Sequence, residues 1–231
     1  MPTMASALAE AIRMDVIRGR LMPEQRLKIQ ELAKRYDAGT IPVREALSRL
    51  ATSGFVEAKD QRGFFVRSVS VEELRDLTRV RLMIEPDALR DSIEHGDGAW
   101  EERVVSAHHR MTRQKVYAVG PPGELNPDWE AAHDDFHKQL LSGCSSPWLL
   151  RFTDTLRAQT ARYRHISTAS SSTPKRDVTG EHSAILEAAL GRRADVAIAL
   201  MCEHLRRTTD ITLENGGALI KSIDRKARKQ R

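Results

Sequence analysis

The chain has 231 residues, of which 40% are hydrophobic and 30% charged, a balance typical of a globular protein with a buried core. Aromatic residues make up only 5%, which favours helix over strand. Two cysteines, Cys144 and Cys202, are too few for a disulfide framework and indicate reduced thiols. The sequence contains no apolar run long enough to span a membrane, and its charged, amphipathic N-terminus is unlike a signal peptide. We therefore expect a cytoplasmic protein without membrane attachment.

The charge is distributed unevenly along the chain. The net charge of +5 divides into +4 over residues 1–70, −4 over residues 71–220 and +5 over residues 221–231. A basic N-terminal part predicts contact with a polyanion, and an acidic middle predicts a different task. We expect two domains with these boundaries, followed by a disordered basic tail over residues 221–231.

Residues 1–70 carry the pattern of three helices and a hairpin. Apolar residues recur at helical spacing from Leu8 to Ile17, then in IQELAKRY and in IPVREALSRLATSG. Pro42 suits the first turn of the third helix, where its missing N–H is not needed. The segments FVEAKD and FFVRSV then indicate two strands around a turn that contains Gly63. Three helices followed by a hairpin form a winged helix-turn-helix, whose third helix enters the major groove of DNA.

The segment LKIQELAKRYDAGTIPVREALSRLATSGFVEAKDQRGFFV resembles the DNA-binding domain of the GntR superfamily of bacterial transcription regulators. The most specific part is PVREAL, followed at the family's spacing by RL, a glycine and RGF. The sequence departs from the family where Gly39-Thr40-Ile41 replaces the usual Ser-Arg-Thr, which removes a serine cap and an arginine that enters the groove. We therefore expect base recognition to be distributed differently, on an operator that can differ from the common family site.

The resemblance implies a set of DNA-contacting positions on the second and third helices and on the wing. Arg44 is the main candidate for a base or phosphate contact, and Arg62 lies at the wing tip, aimed at the minor groove or its phosphates. For any arginine taken alone, a solvated helix face is the alternative. The predicted positions are Arg35, Thr40, Arg44, Arg49, Arg62 and Gly63.

Residues 71–220 carry helical periodicity almost throughout and predict an antiparallel bundle of helices. The hinge to this bundle is expected at residues 69–72, where Ser70 would cap the next helix and Glu73 would complete a capping box. Pro86 is expected to kink or split that helix. The predicted fold class is therefore mostly α, with an N-terminal winged helix-turn-helix joined to an all-α bundle.

Four histidines could meet inside this bundle. In HDDFHKQL, His133 and His137 are about one helical turn apart and project from the same face. His182 and His204 lie on two other predicted helices among aliphatic residues, so they are expected to point inward. Two histidines from one helix and one from each of two others can build a metal centre in a bundle core. Satisfied core or surface histidines without a metal are the alternative at this point.

The segments HDDFHKQLLSGC and EHSAILEAALGRRADVAIALMCEHL are similar to the FCD effector domain of the FadR-type branch of the same superfamily. Members of that family hold a divalent metal with one acidic residue and three histidines, beside a pocket for a small carboxylate effector. Here a histidine stands where the family has Asp, so the resemblance implies four ligands, His133, His137, His182 and His204. Four neutral imidazoles suit zinc or nickel, with iron as a further candidate. Asp134 is an alternative oxygen ligand or a partner of an imidazole N–H.

An effector carboxylate would need cationic side chains near the metal. A guanidinium matches a carboxylate in geometry, and Arg81, Arg162 and Arg164 lie on predicted bundle helices. We expect these arginines, together with Asp134, to contact the effector. Ion pairs between helices are the alternative role for each arginine.

These observations predict a ligand-responsive transcription regulator, acting as a repressor, that binds a palindromic double-stranded DNA operator as a homodimer. A small organic acid bound at the metal would alter DNA binding by changing the packing of the bundle. A DNA-binding protein with a purely structural metal and no effector is one alternative. The other is a metallohydrolase of the HDxxH type, against which the short Asp134 side chain, the four-histidine ligand set and the winged helix all argue. We therefore expect that the protein is not an enzyme.

Overall fold

The structure, a computed structural model, describes residues 3–119, 125–168 and 176–229, with the backbone alone for residues 165–168, 228 and 229. The helices are α1 (Met4–Ile17), α2 (Ile29–Arg35), α3 (Thr40–Thr52), α4 (Val71–His95), α5 (Gly98–Thr112), α6 (Pro127–Leu141), α7 (Pro147–Thr168), α8 (Val178–Leu190) and α9 (Ala194–Lys229). The strands are β1 (Arg26–Leu27), β2 (Val56–Lys59) and β3 (Gly63–Val66). This mostly α architecture confirms the predicted fold class.

The N-terminal unit is a winged helix-turn-helix built from α1 to α3 and an antiparallel sheet in the order β1-β3-β2. β3 pairs with β2 in the register Val56↔Val66 and with β1 in the register Arg26↔Phe65. The β2–β3 hairpin follows the predicted segments. β1 is absent from the prediction because a two-residue strand carries no detectable alternation of polar and apolar residues.

The turn of the wing depends on a glycine. Gln61 and Gly63 both adopt positive φ, of 59° and 91°. Glycine populates this region without the steric conflict that a side chain introduces. Gly63 therefore allows the tight turn that presents Arg62 at the exposed tip of the wing.

Helices α4 to α9 pack around a second core, in which Trp100, Phe136 and Leu140 are 0% exposed. α4 runs through Pro86 as one helix of 25 residues, so the predicted split does not occur. A proline inside a helix costs about 3 kcal/mol. Burial of the residues that follow it in the same helix, such as Leu89 at 0% exposure, offsets this cost.

A third cluster of buried side chains joins the two units. Val69 and Val71, at the junction of the N-terminal unit and α4, pack with Tyr163 of α7 and Ile220 of α9. The bundle therefore holds the linker through two different helices. None of the helices in the described ranges is both long and apolar enough to cross a lipid bilayer.

The C-terminal segment differs from the prediction. α9 continues to Lys229, so residues 221–229 are helical rather than disordered. Apolar side chains continue at helical spacing into this segment, where Ile220 is 0% and Ala227 is 3% exposed. Their burial outweighs the repulsion between neighbouring basic residues. Residues 230 and 231 of the predicted tail lie outside the described part of the chain.

Candidate metal centre and nucleic-acid interface

Four histidines from three helices meet inside the bundle. His133 and His137 lie on α6, His182 lies on α8 and His204 lies on α9. Each offers one ring nitrogen, and these four atoms all lie within 4.8 Å of one another. The Nε2 atoms of His133 and His182 are 3.2 and 3.1 Å from Nε2 of His137. All four side chains are buried, so the group is shielded from solvent.

Hydrogen bonds orient two of the rings. Nδ1 of His182 donates to the backbone carbonyl of Val178 at 2.6 Å. Nδ1 of His204 donates to Oε2 of Glu181 at 2.9 Å, and Arg176 donates to both oxygens of the same carboxylate at 2.5 and 2.8 Å. These bonds assign the ring proton to Nδ1 and leave the Nε2 lone pair available. A carbonyl or carboxylate behind a histidine is the usual support of a metal ligand.

Burial keeps the four imidazoles neutral. It lowers the pKa of His182 to about 3, and the neighbouring His204 adds to the effect. Burial also lowers the pKa of His133 and of His137 well below the ordinary value, with contributions from neighbouring histidines and Arg157. The pKa of His204 is lowered by burial as well. Because metal ions bind the neutral form, this donor set fits a borderline divalent ion such as zinc or nickel.

The histidine group borders a cavity of about 100 Å³, whose lining includes His133, His137 and His204. Its other side chains fall into three groups, the smallest of which is formed by Asp134, Thr208 and Thr212. The cationic ones are Arg81, Arg157, Arg164 and Arg176. The apolar and aromatic ones are Val116, Tyr117, Leu125, Trp129, Val178, Leu205 and Ile211. Apolar walls with a few convergent charged groups are typical of a site for a small organic anion.

The structure places three of the four predicted effector residues in this lining. Arg81, Asp134 and Arg164 border the cavity. Arg81 is buried and donates from Nε to Oε1 of Glu85, one turn along α4, at 2.5 Å. Arg162 does not belong to the lining. It is buried on another side of α7, where it bonds to the linker between the two units.

Asp134 borders the cavity without joining the histidine group. Its carboxylate accepts a hydrogen bond from Nη2 of Arg157 at 2.7 Å, and its backbone carbonyl accepts one at 2.5 Å. The ligand atoms that converge come from His133 and His137 on this helix. In the structure, therefore, the histidine before Asp134 points its nitrogen to the centre, and Asp134 holds an arginine.

Sequence reasoning missed three residues of this site. Arg157 precedes Arg164 by about two helical turns, so the helical period of α7 could have found it. Arg176 and Glu181 reach His204 only through the packing of α8 on α9, and no pattern in the sequence indicates this contact.

Helix α3 and the wing form one exposed face of the N-terminal unit. Arg44 of α3, together with Arg62 and Gly63 of the wing, lines a common groove of about 410 Å³. Both arginines are exposed, as is Thr40, the first residue of α3. Gly39 precedes it as the N-cap and makes no side-chain capping bond. Positive charge, a helix start and a wing lie together here, as in a DNA-reading surface.

The remaining two predicted DNA contacts have partners within the domain. Nη2 of Arg35 donates to Oδ2 of Asp15 at 2.7 Å, and the hydroxyl of Tyr36 donates to the same oxygen. Nη1 of Arg49 donates to Oγ of Ser6 at 3.0 Å. Contact of either arginine with DNA would compete with these bonds.

A winged helix-turn-helix joined to a helical domain, whose cavity has apolar walls and a few charged groups, defines a DNA-binding transcriptional regulator with a separate ligand-binding domain. Residues 4–66 match the model of bacterial regulatory proteins of the gntR family, and residues 76–207 match the FCD domain. The chain belongs to the GntR family of bacterial transcriptional regulators and carries an FCD effector-binding domain, as the sequence resemblance implies.

Relatives cover nearly the whole chain. The HTH-type transcriptional regulator BphR of Paraburkholderia xenovorans (strain LB400) is 38% identical over 214 residues, which are 93% of this chain and 87% of that one. The HTH-type transcriptional repressor GlaR of Escherichia coli (strain K12) is 32% identical over 197 residues, 84% of this chain and 89% of that one. These relatives are transcriptional regulators, so the protein is not an enzyme and the metallohydrolase alternative is wrong.

Solved structures share the fold. E. coli McbR/YncC has a TM-score of 0.78 at 17% identity, covering 93% of this chain and 99% of that one. A GntR transcriptional regulator from Rhodococcus sp. RHA1 has a TM-score of 0.70 at 21% identity, covering 91% and 97%. At these identities the comparison concerns the architecture alone.

Proposed function

We propose that this protein is a repressor whose FCD domain binds a divalent metal ion, zinc or nickel, through His133, His137, His182 and His204, and a small organic anion beside it. The observation that carries the proposal is the convergence of four buried, neutral histidines at a cavity lined by arginines. The bound ion would supply positive charge and a point of attachment for the anion. The relative GlaR is a transcriptional repressor by name, which supports the sign of regulation proposed here.

Arg157 supports an anionic ligand. Its side chain is only 6% exposed, and its Nη2 is bonded to Asp134. Its Nη1 is buried and has no hydrogen-bond partner within the described ranges of the chain. A buried donor without a partner costs about 1–3 kcal/mol, and more when it is charged. A ligand carboxylate in the cavity would supply the missing acceptor.

The positive charge of the cavity would depend on the ion. Three lining arginines already form ion pairs with carboxylates, namely Arg81 with Glu85, Arg157 with Asp134 and Arg176 with Glu181. The four neutral imidazoles add no charge of their own. A divalent ion would therefore contribute positive charge that its ligands do not neutralise. Affinity for the anion should disappear when the metal is removed.

For DNA, we propose that two copies bind a palindromic operator in the cytoplasm, where their α3 helices would enter major grooves about one turn of DNA apart. GntR regulators bind DNA operators and usually act as dimers. The groove between α3 and the wing would face the DNA. The proposed contacts are Thr40, Arg44, Arg62 and Gly63, with Arg35 and Arg49 beside them.

A thermal-shift screen against small mono- and dicarboxylates, with and without a chelator, tests the ligand. An acid at about 100 times its dissociation constant should add about 2.7 kcal/mol to the free energy of unfolding. This effect should vanish with the chelator and in His137→Ala. The matched control is His109→Ala, which removes an exposed histidine and should respond as the wild type does.

The outcomes separate the parts of the proposal. If the chelator lowers the melting temperature but no acid raises it, the metal is structural and the effector is wrong. If the chelator leaves the melting temperature unchanged and no metal copurifies, the metal centre itself is wrong. A melting-temperature shift that survives chelation would place the acid at a site independent of the histidines.

A further inference from the structure

Helix α7 has two functional faces. Arg157 and Arg164 line the cavity beside the histidines. At 3.6 residues per turn, these two positions share a face, and Gln159, Arg162 and Tyr163 project from the opposite side of the helix. That opposite side contacts the N-terminal unit and the linker. One helix therefore borders both the candidate ligand site and the DNA-binding domain.

Arg162 is the central contact of the second face. It is 2% exposed. Its Nη2 donates to the backbone carbonyls of Arg67 and Ser68 at 2.6 and 2.9 Å, in the linker that follows the wing. Nη1 donates to Oε1 of Gln159 at 2.9 Å, and Nε2 of Gln159 donates to the carbonyl of Ser53, at the end of α3. The guanidinium thus holds the backbone after β3 directly, and the backbone before β2 through Gln159.

Tyr163 extends the same contact to the start of α4. Its hydroxyl accepts a hydrogen bond from the backbone N–H of Ser70 at 3.3 Å and donates to Oε2 of Glu73. Ser70 caps α4 by accepting from the N–H of Glu73 at 3.0 Å, as predicted. The reciprocal bond expected for a capping box is replaced, because the Tyr163 hydroxyl stands between the Ser70 N–H and the Glu73 carboxylate. The cap of α4 is therefore completed by α7.

The packing of α7 on the N-terminal unit is also direct. Ala161, which the helical period places on the same side of α7 as Arg157 and Arg164, is 8% exposed and belongs to the same hydrophobic core as Leu47 and Phe55 of the DNA-binding domain. A change in the position of α7 would consequently act on that domain through apolar contacts as well as through hydrogen bonds.

We infer that α7 transmits occupancy of the histidine centre and its cavity to the DNA-binding domain, with Arg162 as the positioning residue that couples the helix to the linker. This inference rests on the proposed function. A hydrogen-bonded helix moves as a unit, so rearrangement of Arg157 and Arg164 around an ion and an anion displaces the opposite face too. Hydrogen bonds weaken steeply outside their narrow distance range. A small shift of α7 therefore changes how firmly residues 67–70 are held.

Hydrogen–deuterium exchange of the full chain tests this coupling, with zinc alone as the probe added to chelator-treated protein. In the wild type, zinc should slow exchange around the histidines of α6 and α8 and also in residues 66–74. In Arg162→Ala, zinc should still bind and still protect α6 and α8, but its effect on residues 66–74 should be lost. Tyr163→Phe keeps the buried ring and should show a partial loss, which preserves the test if Arg162→Ala does not fold.

The control is Arg151→Ala, which removes an exposed arginine from the same helix and should respond as the wild type does. Because the readout is the difference made by zinc, a purely structural weakening of the linker does not imitate it. The inference is overturned if zinc binds the wild type but leaves residues 66–74 unchanged. It is also overturned if zinc slows exchange in residues 66–74 of Arg162→Ala as much as it does in the wild type. The zinc stoichiometry is measured separately. If the wild type binds no zinc, the proposed metal centre is wrong, and the coupling inferred from it is wrong as well.

Discussion

Acidification should destabilise the metal-free protein, and His182 should account for a defined part of the loss. Burial lowers the pKa of this histidine to about 3, whereas in the unfolded chain it returns to about 6.5. Between these values the unfolded state binds a proton that the folded state excludes, so the free energy of unfolding falls as the pH falls. The slope for one group is about 1.4 kcal/mol per pH unit, and acidification from about pH 6.5 to about pH 5 removes about 2 kcal/mol.

Guanidinium chloride unfolding at about pH 7.5 and about pH 5, in the presence of a chelator, measures this loss. The control is His182→Asn, whose amide can still donate to the carbonyl of Val178 but cannot titrate. The variant should lose about 2 kcal/mol less than the wild type over the same change. Carboxylates that titrate in this range act alike in both proteins and cancel. Equal losses in the two proteins would refute the reasoning that the buried imidazole stays neutral in the folded state.

His133→Asp should bind zinc more tightly and show a smaller anion-induced melting shift, because the carboxylate removes one positive charge from the centre. Competition with a zinc-binding dye and thermal melts measure the two effects, and an unchanged anion shift would contradict the charge argument. Arg44→Ala should weaken DNA binding and reduce the salt slope of log K by about one unit. Fluorescence anisotropy at several salt concentrations tests this, with Arg151→Ala as the unaffected control. Gly143→Ala should destabilise the fold by about 1–3 kcal/mol, because its Cβ would lie 2.6 Å from the backbone oxygen of Ser92. A melting temperature equal to that of the wild type would show that the α6–α7 turn relaxes around the methyl group.

Local pattern predicted the fold well where an element has one buried face. The third helix is an example, since Val43 and Leu47 are both 0% exposed. The prediction failed where tertiary packing overrides a local signal. Pro86 does not interrupt α4, and the basic residues after Ile220 do not end α9, because buried neighbours stabilise the helix in both places. Helix propensity describes an isolated segment of chain. Whether α4 continues through Pro86 and α9 beyond Ile220 depends instead on the side chains that pack against these helices.

In the candidate site, too, local pattern predicted some features, whereas others depend on tertiary packing. Spacing on one helix pairs His133 with His137, the aliphatic neighbours of His182 and His204 predict that these two also point inward, and the FCD resemblance implies that the group binds a metal. The contact of Arg162 with the linker could not be predicted this way, because the residues around it in the sequence are as compatible with a position in the cavity wall as with a position against the linker. Which face of α7 it occupies relative to Arg164 follows from the helical period, but which neighbour that face meets is a property of the three-dimensional packing. Only the structure shows that it holds the linker.

On α6, a histidine stands at the ligand position where the family has Asp, and the carboxylate lies one residue later. This change has an electrostatic consequence. In the FCD resemblance the α6 ligand is Asp at the position of His133, whereas here the carboxylate is one residue later and bonds to Arg157. Negative charge is thereby moved away from the ion and onto the arginine. A metal with four neutral ligands would keep its full charge, and Arg157 would be partly neutralised. The ion, more than the arginines, would then draw the anion into the cavity. This arrangement also gives the metal a reason to be present in a sensor. Three of the four lining arginines are already paired with carboxylates, so without the ion the cavity has less positive charge with which to recognise an acid.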